Sequence, residues 1–453
     1  MTQKASQLAE FAADLRIGGG ALSHAACRLI LDTVAVGWAG VDAPGVAPLR
    51  QLAHATAGRA EASLWGAAGK LPAPEAAFVN GAAAAALDFD AVHEGSILHA
   101  DAVVLPAALA IAEREGRSGA ELLSAYIAGI EIAHRLSMAT PRRGGWFGTS
   151  TAGVFGAAAA AARLLGLDRD GIHHAMGIAL SLSGGTKQAI VERTLTKRLQ
   201  SAFVARSGIH AAYAAAAGVS GPRDWLEGDF GWFALYEPGD ANQVVEQLGS
   251  RFDFVNTGIK KFPSCLCNHA VIDAAQSLMA QHRLTPSDVD AIDVTISPYM
   301  YGIVGAAFDP SGDAQVAAQF SVQYAAASAV HRGNLTLADI EPNKVRDTEF
   351  GRLVRAVKVH VESEWPGQVA PGKVTLTTRH QKRLTHLVDK LPGSAARPLD
   401  DREVIEKAVS CFTTGSQPMS RVQAEALAGR LLSLSELPDV GSLFMEEACR
   451  KTA

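Results

Sequence analysis

Cysteine is scarce in this 453-residue chain: five in all, an odd number in no metal-ligand spacing. Cys27, Cys265, Cys267, Cys411 and Cys449 therefore suggest neither a disulfide framework nor a zinc cluster, and a reducing compartment is expected. A basic tract is missing and the net charge is −5, which argues against nucleic acid as the partner. The alanine-rich run near Ala157 is broken by Arg163, so it does not read as a membrane span. The opening MTQKASQLAEFAADLR has no apolar signal core, and the expectation is a soluble, cytoplasmic protein. Neither glycine fingerprint for dinucleotides nor a phosphate loop occurs, and there is no internal repeat. What is present is 48% hydrophobic and only 19% charged, so burial is ample. The length exceeds one compact core and suggests two domains, or one with an insertion.

The chemistry concentrates in Leu87 to Pro106, LDFDAVHEGSILHADAVVLP. Asp88, Asp90, His93, Glu94, His99 and Asp101 sit here between alanine-rich and aliphatic runs. Charges in that setting are either solvated in a loop or paired inside a cavity, because unpaired buried charge is costly. Around it the pattern is helical. Residues 5 to 39 read as two helices, with Ser23 a candidate cap of the second and Asp32 inside it as a helix-packing hydrogen bonder. Small residues dominate 75–132, so helix backbones can approach closely. Glu121 to Leu136 reads as an amphipathic helix capped by Ser118. RRGGWFGTSTAG reads either as an ordinary glycine-rich connection or as a carboxylate cradle at the start of a helix from about Ala152. Further small-residue helices are expected at Ala175 to Gly185 and Ser201 to Gly218, separated by a polar stretch carrying Lys187, Lys197 and Arg198.

After Gly258 the composition changes. IKKFPSCLCNHAVIDAA is a basic turn running into a helix, and 291–298, 355–362 and 372–378 alternate as strands, with 384–388 closing a hairpin. Residues 314–332 and a segment from Leu337 read as helices. The expectation is a mainly α protein: a helical domain over 1–265, completed by C-terminal helices in 396–453, with an inserted α+β lid at 266–395.

AAFVNGAAAAALDFD, HADAVVLPAALAIAE, TKRLQSAFVARSG, KKFPSCLCNHAVIDAA, AQFSVQYAAASAVHRGNLTL and LPGSAARPLDDREVIEKAV together resemble the MmgE/PrpD family. That family holds 2-methylcitrate dehydratase, cis-aconitate decarboxylase and iminodisuccinate epimerase. The resemblance implies a homodimer with a site in the crevice between domains. It also implies no organic cofactor, no metal and a small di- or tricarboxylate substrate. Reactions of this kind make or break a C–H bond beside a carboxylate, which calls for a positioned base, an acid and cations. By resemblance the catalytic candidates are Asp88, to orient a histidine or lysine; His99, the acid or base; and Lys197 and Lys260, to hold carboxylates. His93, Ser150, Gln200 and Tyr324 are the substrate-binding candidates. Taken alone each has an ordinary role, as surface charge or satisfied core. Asp90 with His93 could suggest a divalent metal, but the ligand set is weak. Cys265 follows two lysines, which would lower a thiol pKa; it is a second base or a structural thiol.

Phe147 stands where the resemblance places a histidine in dehydratase- and decarboxylase-like members, Gln200 where many members have histidine, and Val92 where threonine is usual. Three readings follow: a lyase (dehydratase or decarboxylase), a two-base epimerase or isomerase using Cys265 and His99, and a non-catalytic carboxylate-binding homologue. The retained Asp88, His99 and lysines favour the lyase.

Overall fold

The computed structural model describes residues 3–56, 58–140, 144–236 and 238–444; Cys449, Arg142 and Arg143 lie outside them. Two helices open the chain, α1 (Gln3–Asp14) and α2 (Gly20–Gly40). The first domain then builds on α3 (Ala73–Ala86), α4 (Asp101–Arg114), α5 (Gly119–Met138), α6 (Gly148–Leu164), α7 (Arg169–Leu180) and α8 (Thr196–Ala216). Alanine and glycine set the spacing of these helices. A Cβ on Gly40 would lie 2.1 Å from the Ala83 carbonyl, and one on Gly156 would lie 2.3 Å from that of Gly129. Only a bare α-carbon permits α2 to meet α3, and α5 to meet α6, at that distance.

Three expectations change. Ser23 is buried inside α2, which starts at Gly20 without a side-chain cap. Helix α5 does receive its Ser118–Glu121 capping box, but it is buried on nearly every side rather than amphipathic. Its charges face protein: Glu131 and Arg135 pair at 2.7 Å, and Arg135 donates to the carbonyls of Val244, Glu246 and Arg251. Helix α8 begins at Thr196, so Lys197 and Arg198 belong to its first turn rather than to a connecting stretch.

The second domain has a four-stranded sheet of β1 (Val289–Ile296), β2 (Lys358–Val361), β3 (Gly372–Thr378) and β4 (Arg383–Val388). The order is β2-β1-β3-β4, with β2 parallel to β1 and the other pairs antiparallel. Ile292 faces Leu376, which in turn faces Leu384, so the apolar alternation falls in register on one side. Helices α9 (His269–Gln281) and α11 (Val322–His331) pack together against this sheet. The expected continuous helix over 314–332 is broken. A short α10 (Ala314–Gln319) stops at Phe320, and Ser321 caps α11 by accepting from the Tyr324 N–H. The break frees the Gln319 carbonyl, which accepts from the Cys265 N–H, the Ser264 hydroxyl and the Asn268 amide. That one carbonyl anchors the lysine–cysteine turn to the second domain.

The chain returns through α12 (Asp401–Phe412) and α13 (Arg421–Leu432), both packed on α2. No helix among the described residues is long and apolar enough to cross a membrane.

Candidate active site

Helix α3 ends at Ala86, and the following turn puts Asp88 at φ 49. Left-handed backbone is uncommon for a residue with a side chain, though aspartate tolerates it. The turn sends the Asp88 carboxylate to two lysines from different parts of the chain. Lys197 Nζ, on the first turn of α8, lies 2.5 Å from Oδ1, and Lys260 Nζ lies 3.4 Å from Oδ2. Lys260 also donates to the Asp88 carbonyl at 2.8 Å and stands 3.8 Å from Asp90 Oδ1.

Asp90 is 1% exposed, and its Oδ2 lies 2.9 Å from His99 Nδ1. The same nitrogen is 3.2 Å from the Ala91 carbonyl, while the His99 backbone N–H donates to Thr149 Oγ1 on the first turn of α6. His99 Nε2 has no hydrogen-bond partner among the described residues. A histidine held at Nδ1 by a carboxylate has its tautomer fixed, and its other nitrogen is free to take or give a proton. The histidine's partner is thus Asp90, which the sequence did not single out for this role, and Asp88 serves the lysines.

A further lysine closes the cluster from below. Lys407 of α12 lies 2.6 Å from Asp32 Oδ1 and donates to the Phe89 carbonyl at 2.8 Å, between the two aspartates. Three ammonium groups therefore face three carboxylates, almost entirely out of water. Burial would raise Asp88, but Lys197, Lys260 and His99 overcome it and hold the carboxyl far below its usual range. The same competition, with His99 leading the opposing charges, leaves Asp90 at about 2. Burial would lower Lys197, but Asp88 and Asp90 raise it above an ordinary lysine.

Lys260 does not reach for a ligand as expected: its ammonium is spent on Asp88 and Asp90, and it is 2% exposed. His93 also turns out differently. Its Nδ1 accepts from the Ser96 N–H, its Nε2 contacts the Asp253 carbonyl, and its ring lies 4.5 Å from that of His134. The two-residue ladder of Val92–His93 with Thr257–Gly258 fixes it there, so neither a metal nor a substrate role is supported. Among the described residues no group of three or more metal-ligating side chains is found. Tyr324 is not brought to the cluster either. It is fully buried in the second domain, its hydroxyl donating to the Asp339 carbonyl and accepting from Arg332, with its ring stacked on Phe308.

Ser150 and Gln200 both flank Gly185. A Cβ on Gly185 would fall 2.6 Å from Gln200 Oε1 and 2.9 Å from Ser150 Oγ, and both oxygens are buried without a hydrogen-bond partner. Phe147, buried one residue ahead of α6, donates its N–H to the Gly185 carbonyl. Cys265 is half-buried on the anchored turn. Hydrogen bonding from Cys267 lowers its thiol pKa, helped by Lys260 and opposed by burial and by Asp88.

Asp101, two residues past His99, accepts from the Tyr126 hydroxyl, and burial pushes its carboxyl up to about 7. The group is protonated in the folded protein where it is ionised in the unfolded chain. Its contribution to stability is therefore complete below the ordinary aspartate pKa of about 4 and is lost as pH rises through about 7. Asp101→Asn is expected to remove that slope. Urea midpoints at pH 5 and 8 should fall further apart in the wild type than in the variant, and equal separations would contradict the assignment.

Between the end of α3, the start of α8 and α10 lies a narrow pocket lined by Asp88, Arg193, Lys197, Arg198, Gln319 and Phe320. It is the crevice between the domains. The MmgE/PrpD N-terminal domain matches residues 6–244 and the MmgE/PrpD C-terminal domain matches 262–430. Cis-aconitate decarboxylase of Homo sapiens is 29% identical over 444 residues, covering 92% of this chain and 88% of that one. The Mus musculus enzyme is 27% identical, with 92% and 87% covered, and that of Aspergillus terreus 24%, with 92% and 89%.

Proposed function

The chain belongs to the MmgE/PrpD family, and from that premise we propose that it is a cofactor-independent lyase acting on a small di- or tricarboxylate. The observation that carries this reading is the Asp90–His99 pair, with Nε2 unpartnered beside a buried, charge-balanced lysine–aspartate cluster. In the reaction His99 Nε2 moves the proton at the carbon next to a carboxylate. Asp90 fixes the tautomer and stabilises the imidazolium form. Lys197, at the pocket wall, supplies positive charge to the carboxylate as charge builds on it. Relatives bearing the name cis-aconitate decarboxylase support decarboxylation among the lyase reactions. Phe147, in place of a histidine, supports a substrate with one fewer carboxylate or a more apolar arm.

The second reading, a two-base epimerase, is favoured by Cys265, whose lowered thiol pKa suits a proton-transfer base. Proton NMR of the purified protein in D₂O separates the two. The panel is 2-methylcitrate, citrate, cis-aconitate, iminodisuccinate and simpler dicarboxylates. Loss of water or CO₂ is the result expected. Deuterium at an α-carbon without bond cleavage would replace the lyase by the epimerase. No change in any substrate would favour a carboxylate-binding protein without turnover.

A further inference from the structure

Of the three lysines in the cluster described above, only Lys197 lines the pocket and can meet an incoming anion. Lys260 and Lys407 are turned inward, and Lys197 already lies against Asp88. A substrate with two or more carboxylates can place one near Lys197 and His99, but another must meet a cation elsewhere. Arg193 is placed for that. It lines the same pocket, in the connection between the Gln188–Val191 turn of helix and α8. It is half-exposed, and its guanidinium has no hydrogen bond or ion pair to any described residue. Arg198 beside it differs: it is buried and donates to the Pro44 carbonyl and to Gln315. Asp309, whose carboxylate accepts from the Ser311 N–H and hydroxyl, feels the Arg193 charge without an ion pair to it.

The backbone gives independent support. Arg193 sits at φ 54, a conformation that glycine or asparagine fills with less strain. Its N–H and that of Thr194 bond back to the carbonyls of Ile190 and Ala189, so the position terminates the short helix in the manner of a glycine C-cap. A long cationic side chain at such a point carries a local cost in strain, and strain of this kind gathers at ligand-binding sites.

We infer that Arg193 is the second carboxylate-binding residue of the crevice, gripping the carboxylate that lies away from His99 through the two-pronged guanidinium geometry. The inference rests on the polycarboxylate reading of the site. It adds to that reading where the carboxylates go: one against Lys197 and one against Arg193, which line the same pocket.

Isothermal titration tests it without any turnover. Propane-1,2,3-tricarboxylate, pentanedioate and butanoate are the probes, and wild type, Arg193→Met, Arg193→Lys and Arg193→Gly the proteins. The expected result is a rise in Kd for the first two ligands of about tenfold or more in Met and Gly, a smaller rise in Lys, and no change for butanoate. Arg193→Gly relieves the backbone, so its thermal midpoint should equal or exceed the wild type, which separates lost binding from lost folding. Unchanged Kd values for both polycarboxylates in Met and Gly would overturn the inference while leaving the site reading intact. Failure of the wild type to bind either polycarboxylate would overturn both.

Discussion

Asp90→Asn is expected to lower kcat on the polycarboxylate substrate by about three to four orders of magnitude, with KM moving by about threefold or less. The carboxylate lies 2.9 Å from His99 Nδ1 and the Ala91 carbonyl accepts from the same nitrogen, so the proton sits on Nδ1 and Nε2 is left as the base. An asparagine amide can present an N–H to the same nitrogen, which moves the proton to Nε2 and blocks proton abstraction. The loss falls on kcat because Asp90 is buried and does not line the pocket. Steady-state kinetics across pH 6 to 9, alongside a thermal melt, measures it. An Asn variant within about tenfold of wild-type kcat would show that Asp90 is structural only.

Lys407→Met is the substitution with the largest expected effect on stability, about 3–5 kcal/mol. Its side chain is 6% exposed and that of Asp32 is 1% exposed, so removing the ammonium strands a buried carboxylate. The Phe89 carbonyl loses its donor as well, which loosens the turn that carries Asp88 and Asp90. Even with Lys407 present, burial raises the Asp32 pKa. Without it Asp32 folds protonated more readily, so the variant should be hurt less at pH 5 than at pH 8, since a raised carboxyl pKa loses stability as pH rises. Urea denaturation at both pH values reads this. Asp32→Asn added to Lys407→Met should recover most of the loss, because the stranded charge is gone. A double variant no better than the single one would place the cost in packing instead.

Much of the helical scaffold could be read from the alanine and glycine runs, since small residues at helical spacing have few other uses in a chain of this composition. The strands at 289–296, 372–378 and 383–388 were legible from alternation, because one face of the sheet is covered by α9 and α11. The loop holding Asp88 and His99 stood out as charge between apolar runs, and the structure brings both together with Lys197 and Lys260. Which aspartate serves which partner was not legible. Asp88 and Asp90 are the same residue type two positions apart, and only the left-handed turn at Asp88 sends them to different partners. Lys407 was hidden for a different reason. In VIEKAVSCF it looks like the polar side of a surface helix, and its partner Asp32 lies on the far side of the sequence. The charges of α5 were misjudged by the same rule: Glu131 and Arg135 mark a polar face only until backbone carbonyls are found to surround it. Tyr324 came from resemblance alone, and a buried hydroxyl already bonded to Asp339 and Arg332 has no freedom to reach the crevice.

The central claim is that His99 moves a proton at carbon with Asp90 behind it. Wild type and His99→Gln, incubated in D₂O with the polycarboxylate that the wild type turns over, test it directly. The account predicts deuterium at the carbon that loses CO₂ in a wild-type decarboxylation, or at the proton-losing carbon of the remaining substrate in a reversible dehydration, and a loss of turnover in the variant of about 10³-fold or more with binding retained. Label appearing at the wild-type rate in the variant would contradict it.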